Sequence, residues 1–169
     1  MRISSLALSL LVMLSGVTAA CQARADEPAA KDVMTIEACL RKQLKNPDDT
    51  QEADAAACLM KVAKPCIGDE AASPPSQTLA CLERERLVWD KFVNDSYNAM
   101  MSGLDPDQQV KLRDMQRSWI HTRDLTCMFW YDYFQGTMAN PMIAYCNNRE
   151  TARRAIFLRI FAADIADRK

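Results

Sequence analysis

The chain is short of histidine, of glycine and of any charge imbalance. A single histidine, His121, leaves little scope for imidazole acid–base chemistry or for a His-ligated metal. Four glycines are too few for a Gly-rich phosphate loop. Lys and Arg number 21 against 22 Asp and Glu, so there is no basic excess to hold a nucleic-acid backbone. No Cys-x-x-Cys occurs, and the closest cysteines, Cys58 and Cys66, have seven residues between them, which argues against zinc. No stretch alternates apolar and polar residues with period two, so strands are not expected. No metal and no cofactor is expected. What remains, 49% hydrophobic and 25% charged residues in 169, suits one globular domain with a sizeable core.

The first 25 residues read as a signal peptide. Arg2 is the positive start, Leu6 to Leu14 the apolar stretch, and Ala23-Arg24-Ala25 an A-x-A cleavage site. The apolar stretch is too short for a membrane span. A competing reading takes Thr18-Ala19-Ala20-Cys21 as a lipobox with a lipid anchor at Cys21, although Thr fits its first position poorly. Both readings put the protein outside the cytoplasm, periplasmic or secreted. Cleavage at Ala25 leaves 19 basic and 22 acidic residues, a net charge of −3. It also leaves six cysteines, Cys39, Cys58, Cys66, Cys81, Cys127 and Cys146, an even set that in an exported chain reads as three disulfides. Spacing does not fix their pairing. The simplest choice is sequential (39–58, 66–81, 127–146), each bridge closing a local helical hairpin.

Helical periodicity runs through the rest. Residues 26–34 read as a flexible start. Residues 35–65 read as a Cys-bearing pair of short helices: Thr35 (N-cap) to Leu44, then a turn at Asn46-Pro47-Asp48-Asp49, then about Thr50 to Val62, ended by Lys64-Pro65. Residues 66–168 form the main helical domain, with three longer helices. One spans Ser76 to Ser102 with Leu82, Trp89, Phe92, Val93, Tyr97 and Met100 inward. A second opens on Asp105-Pro106-Asp107-Gln108, a cap with proline at the first helical position, and continues through Leu112, Met115 and Trp119. The last spans about Asn148 to Ile165 with Ala152, Ile156, Ile160 and Ala163 inward. If the second helix reached Gly136 and the third began at Pro141, Cys127 and Cys146 would be offset by roughly 6 Å along the axes. Irregular structure is therefore expected within 128–147, with Asn147 capping the final helix. The fold class is all-α, a disulfide-stapled bundle.

Within that frame lies a spaced set: Cys81, Glu85, Trp89-Asp90, Asn94, Tyr97, then Gln116-Arg117-Ser118-Trp119, Arg123-Asp124, Cys127, and finally Cys146, Thr151, Arg154 and Leu158. The set resembles the lysozyme-inhibitor LprI-like family of small exported bacterial proteins, whose hallmark is similar to Q-x-x-W-x-x-x-R-D-x-x-C, a second Cys and T-x-x-R. Gln116 to Cys127 fits at every named position. The chain departs from the family in Val93-Asn94, where Leu-Asn is usual, and in Gly136-Thr-Met-Ala-Asn-Pro141, where Gly-Gly-Ser is frequent. The resemblance implies a helical exported protein and, through the member that named the family, lysozyme inhibition.

Read as plain chemistry, the same residues are structural before they are functional. Trp119 shares an apolar stripe with Leu112 and Met115. Asp124 does not face Arg123 and is expected to pair with Arg153 or Arg154 across the bundle, while His121 is partly exposed and carries no role. Glu83, Glu85 and Asp90 read as exposed carboxylates on one helix. No nucleophile with a positioned base can be assembled, so the protein is not expected to be an enzyme. Met128, Met138 and Met142 could suit copper(I), but methionine more commonly fills helical cores. The expected activity is protein binding, with lysozyme as the named candidate. An acidic net charge would steer the chain toward a cationic lysozyme, although residues 103–107 and 136–141 hold no Lys or Arg to offer its cleft carboxylates. The alternative is a structural or assembly role in the cell envelope.

Overall fold

A computed structural model describes residues 27–45 and 51–168, all helix and turn. The signal peptide, Cys21 and the 46–49 turn expected from the sequence lie outside the described residues. The helices are α1 (Ala30–Gln43), α2 (Gln51–Ala55), α3 (Ala63–Ile67), α4 (Pro75–Gly103), α5 (Pro106–Phe134) and α6 (Ala139–Asp167), with a 3-10 turn at Ala56–Cys58 after α2. The last three have 29 residues each, about 43 Å of rod. Helix α6 packs along both α4 and α5, whereas α4 and α5 scarcely touch. Across α4 and α6 lie α1 and the short segments after it.

Local signals explain the boundaries of the long helices. Pro75 starts α4 at the position where a missing N–H costs nothing. Asp105 caps α5 with a complete capping box: its carboxylate accepts from Gln108 N–H at 2.9 Å, and Gln108 Oε1 accepts from Asp105 N–H at 3.1 Å. Gln135 and Gly136, at φ 45° and 91°, turn the chain between α5 and α6.

Elsewhere the structure corrects the sequence reading. Helix α1 begins at Ala30, inside the expected flexible start, and Thr35 is no cap: its hydroxyl donates to Lys31 C=O at 2.9 Å within the helix. Asp32 in the first turn is buried and held by both arms of Arg84 (Nη2–Oδ1 2.7 Å). The second short helix is broken. Leu59 is extended, Met60 takes a left-handed φ of 66°, and Pro65 lies inside α3 instead of ending a helix.

The 128–147 connection is irregular only over 135–138, much less than expected. Helix α5 runs unbroken to Phe134 and α6 starts at Ala139, so Cys127 is seven residues before one end and Cys146 seven residues after the other start. The expected offset vanishes because α6 absorbs Pro141 into its first turn, where backbone N–H groups have no helical acceptor anyway. Asn147 is mid-helix and caps nothing. Ala163, expected inward, is exposed; Ala162 and Ile165 pack there instead.

The six cysteines pair sequentially, Cys39–Cys58, Cys66–Cys81 and Cys127–Cys146, with Cα–Cα separations of 5.7, 5.6 and 5.4 Å. The main core joins Ile36 and Leu40 of α1, Val88, Trp89, Phe92, Val93 and Met100 of α4, Leu112 of α5, and Ala152, Ile156 and Leu158 of α6. Ile67, Cys81 and Leu82 form a smaller cluster under α3. Helix α5 contributes only Leu112 and Cys127 as fully buried residues, which leaves it the outer rod of the bundle.

Candidate functional site

Most of the spaced set fastens helices. Glu85, expected at the surface, is completely buried on α4. Its carboxylate accepts from Met60 N–H (2.7 Å), Val62 N–H and Ala63 N–H (2.8 Å each), Trp89 Nε1 (3.0 Å) and Asn148 Nδ2 (3.2 Å). Those backbone donors include the free N–H groups at the start of α3, so Glu85 acts as that helix's cap from another part of the chain. No Lys or Arg is among these partners; five N–H groups converge on the one carboxyl group. The sequence missed this because an isolated Glu between Arg84 and Arg86 looks solvated, and the only signal was its place one turn before Trp89.

Four motif residues converge between α5 and α6. The guanidinium groups of Arg123 (4.9 Å) and Arg154 (5.5 Å) both lie over the Trp119 ring, which is half-buried against the core. Arg154 also covers Phe157 (5.4 Å) and donates from Nε to Gln116 Oε1 at 2.9 Å. Burial lowers the proton affinity of Arg154 below the usual guanidinium range. Thr151 is buried one turn earlier on α6.

Asp124 pairs neither with Arg153 nor with Arg154. Its Oδ1 accepts from Nε (2.9 Å) and Nη2 (2.7 Å) of Arg123, whose long side chain curls back to its neighbour, while Arg154 is taken up by Gln116 and Trp119. Of the remaining set, Asp90 is 4.0 Å from Arg86, Asn94 is exposed, and Tyr97 is half-buried against the core. His121 is exposed on α5.

The surface that no packing explains is the far end of the α5–α6 hairpin. Phe129 and Tyr133 are 59% and 67% exposed, and Leu125, Met128, Tyr131 and Met138 stand out with them. Met128 and Met138 are thus solvent-facing, not the core fillers expected. The rings order one another: Phe129 stacks on Tyr133 at 6.3 Å, Trp130 on Phe134 at 5.5 Å, and Tyr133 meets Phe134 edge-on at 5.1 Å. Between Asp124 and Arg149 the only charged residue is Asp132. The Cys127–Cys146 bridge ties the base of this end, so the aromatic cluster is carried on two helical turns pinned to a neighbour. The sequence signal was present in Met128-Phe-Trp-Tyr-Asp-Tyr-Phe134, which is apolar on every side of a helix instead of along one stripe. An apolar patch of this kind on a folded domain is characteristic of an interaction surface.

Among the described residues no cluster of His, Cys, Asp and Glu could hold a metal, and no helix is long and apolar enough to cross a membrane. The model of one protein family, described as lysozyme inhibitor LprI, matches residues 68–158, from the end of α3 into α6. No curated protein and no solved structure matches the chain.

Proposed function

Since the chain belongs to the LprI lysozyme-inhibitor family, we propose that it is an exported protein-binding module that engages lysozyme through the aromatic end of the α5–α6 hairpin. The observation that carries this reading is the disulfide-pinned cluster of exposed Phe129, Tyr133 and Phe134 around the half-buried Trp130. Aromatic rings on a rigid support give large contact area at low entropic cost, the usual composition of binding hot spots.

The end carries no Lys or Arg, so it offers no cation to a lysozyme's two cleft carboxylates. Contact would be made by ring faces, while the acidic net charge of the processed chain steers the encounter with a cationic partner. Three disulfides and the family both support a site of action outside the reducing cytoplasm. A binding role in place of catalysis is supported by the fate of the carboxylates: Glu85 is consumed as a cap, Glu83 pairs with Arg86, and Asp90 lies on the surface.

The test is inhibition of lysozyme on cell-wall substrate by the oxidised protein, with a reduced sample beside it. Dose-dependent inhibition that disappears on reduction supports the reading. Absence of inhibition at large molar excess overturns the lysozyme assignment and leaves a structural or assembly role in the envelope.

A further inference from the structure

Because α4 and α5 both lean on α6 and hardly on each other, a groove of about 510 Å³ opens between them, floored by α6. That volume is in the range of small-molecule sites. Each wall carries one arginine–carboxylate pair: Glu83 and Arg86 on α4, Arg123 and Asp124 on α5. In both pairs the cation is the inner partner. The side chains of Arg86 and Arg123 are 23% and 18% exposed, and each carboxylate is 54% exposed. Each arginine uses only its Nε and Nη2 edge on its carboxylate. Nη1 of Arg123 makes no hydrogen bond among the described residues, and Nη1 of Arg86 is 4.0 Å from Asp90. From the α6 floor, Asn140 and Asn147 face the groove with side-chain amides that make no hydrogen bond to the described residues. The groove therefore presents Arg123 Nη1 and two asparagine amides without a partner among the described residues, with Arg86 Nη1 held only loosely by Asp90, and its rim presents Asp124 Oδ2, which accepts nothing among the described residues.

We propose that this groove binds a small carboxylate that also carries an N–H or O–H donor. The carboxylate meets the Nη1 edges of Arg86 and Arg123 and the Asn147 amide, and the donor meets Asp124. A lone anion is a poorer fit, because the two carboxylates make the groove neutral overall; a dipolar ligand satisfies both halves. A short peptide with free termini and an acidic sugar share this chemistry. The inference stands apart from the lysozyme reading, since it concerns the groove walls and not the aromatic end.

The test is a nitrogen-15 NMR titration of the full oxidised protein with D-alanyl-D-alanine and, separately, N-acetylmuramic acid, with acetate as the control. The expected result is saturable shifts of the Asn140 and Asn147 side-chain amides and of Arg123 Nε, stronger than with acetate. Arg86→Gln and Arg123→Gln should each weaken binding at least about tenfold, and Asp132→Asn should leave it unchanged. Response to the dipeptide alone assigns a peptide, and response to the sugar acid alone assigns a glycan. No saturable shift with either probe up to about 10 mM, or shifts clustered away from the groove, overturns the proposal. The map on the unmodified protein decides even if a variant fails to fold.

Discussion

Trp89 donates its indole N–H to Glu85 at 3.0 Å, and neither side chain reaches solvent. The bond joins two consecutive turns of α4, yet its effect is felt elsewhere, because the same carboxylate holds Met60, Val62, Ala63 and Asn148. Glu85→Gln keeps the shape but turns an NH2 group toward donors that need an acceptor. It should cost about 2–4 kcal/mol in urea unfolding, and Trp89→Phe, which removes one donor of five, about 1 kcal/mol. Equal losses for the two would show that the carboxylate is not the hub.

The aromatic end predicts the opposite signature. Phe129→Ser and Tyr133→Ser remove exposed rings, so thermal midpoints should move by no more than the equivalent of about 0.5 kcal/mol. Lysozyme inhibition should fall at least about tenfold in each. Loss of stability without loss of inhibition would place the contact elsewhere.

Replacing Cys127 and Cys146 together by Ser should lower stability by about 3 kcal/mol, the loop-closure value for a separation of 19 residues. Since α5 has so few buried residues, the loss should appear first as faster amide exchange in 120–134 and only then in global unfolding.

Acid sensitivity has a specific source in the pair linking α1 to α6. Glu37 accepts from both arms of Arg159 at 2.7 Å, and that hydrogen bonding holds its carboxyl below the usual 4.5. A depressed folded-state value means the pair stabilises fully above the unfolded value and fades as pH falls through the folded one. Glu37→Gln should cost about 1 kcal/mol at neutral pH and nothing at pH low enough to protonate the native carboxyl. A loss independent of pH would indicate packing instead of charge.

The all-α class, the three long helices and the α5 capping box were legible in the sequence because each rests on local periodicity or capping. Spacing did not determine the cysteine pairing, although the simplest arrangement is the one found. Two things were hidden for long-range reasons. Glu85 falls on the buried stripe of α4 with Leu82 and Trp89, but the backbone from residues 60–63 that takes up its charge-bearing group comes from a distant segment that periodicity on α4 does not reveal. The break of the second short helix follows from the same contact, since Glu85 supplies the acceptors that a continuous helix would have drawn from its own backbone. Asp124 was misassigned because side-chain direction on a helix constrains short residues better than an arginine of four rotatable bonds. The motif was recognisable as a pattern, but its physical role, cation–ring contacts of Arg123 and Arg154 with Trp119 that join two helices, needed coordinates.

The six described cysteines pair two by two in chain order. A chain threaded through a pore from its N-terminus presents Cys39 and then Cys58, Cys66 and then Cys81, Cys127 and then Cys146. An oxidant that simply joins these six in order of arrival produces the observed set, with no bond to be broken and remade. No bridge crosses or encloses another among the described cysteines, so this set is reached by three separate local closures.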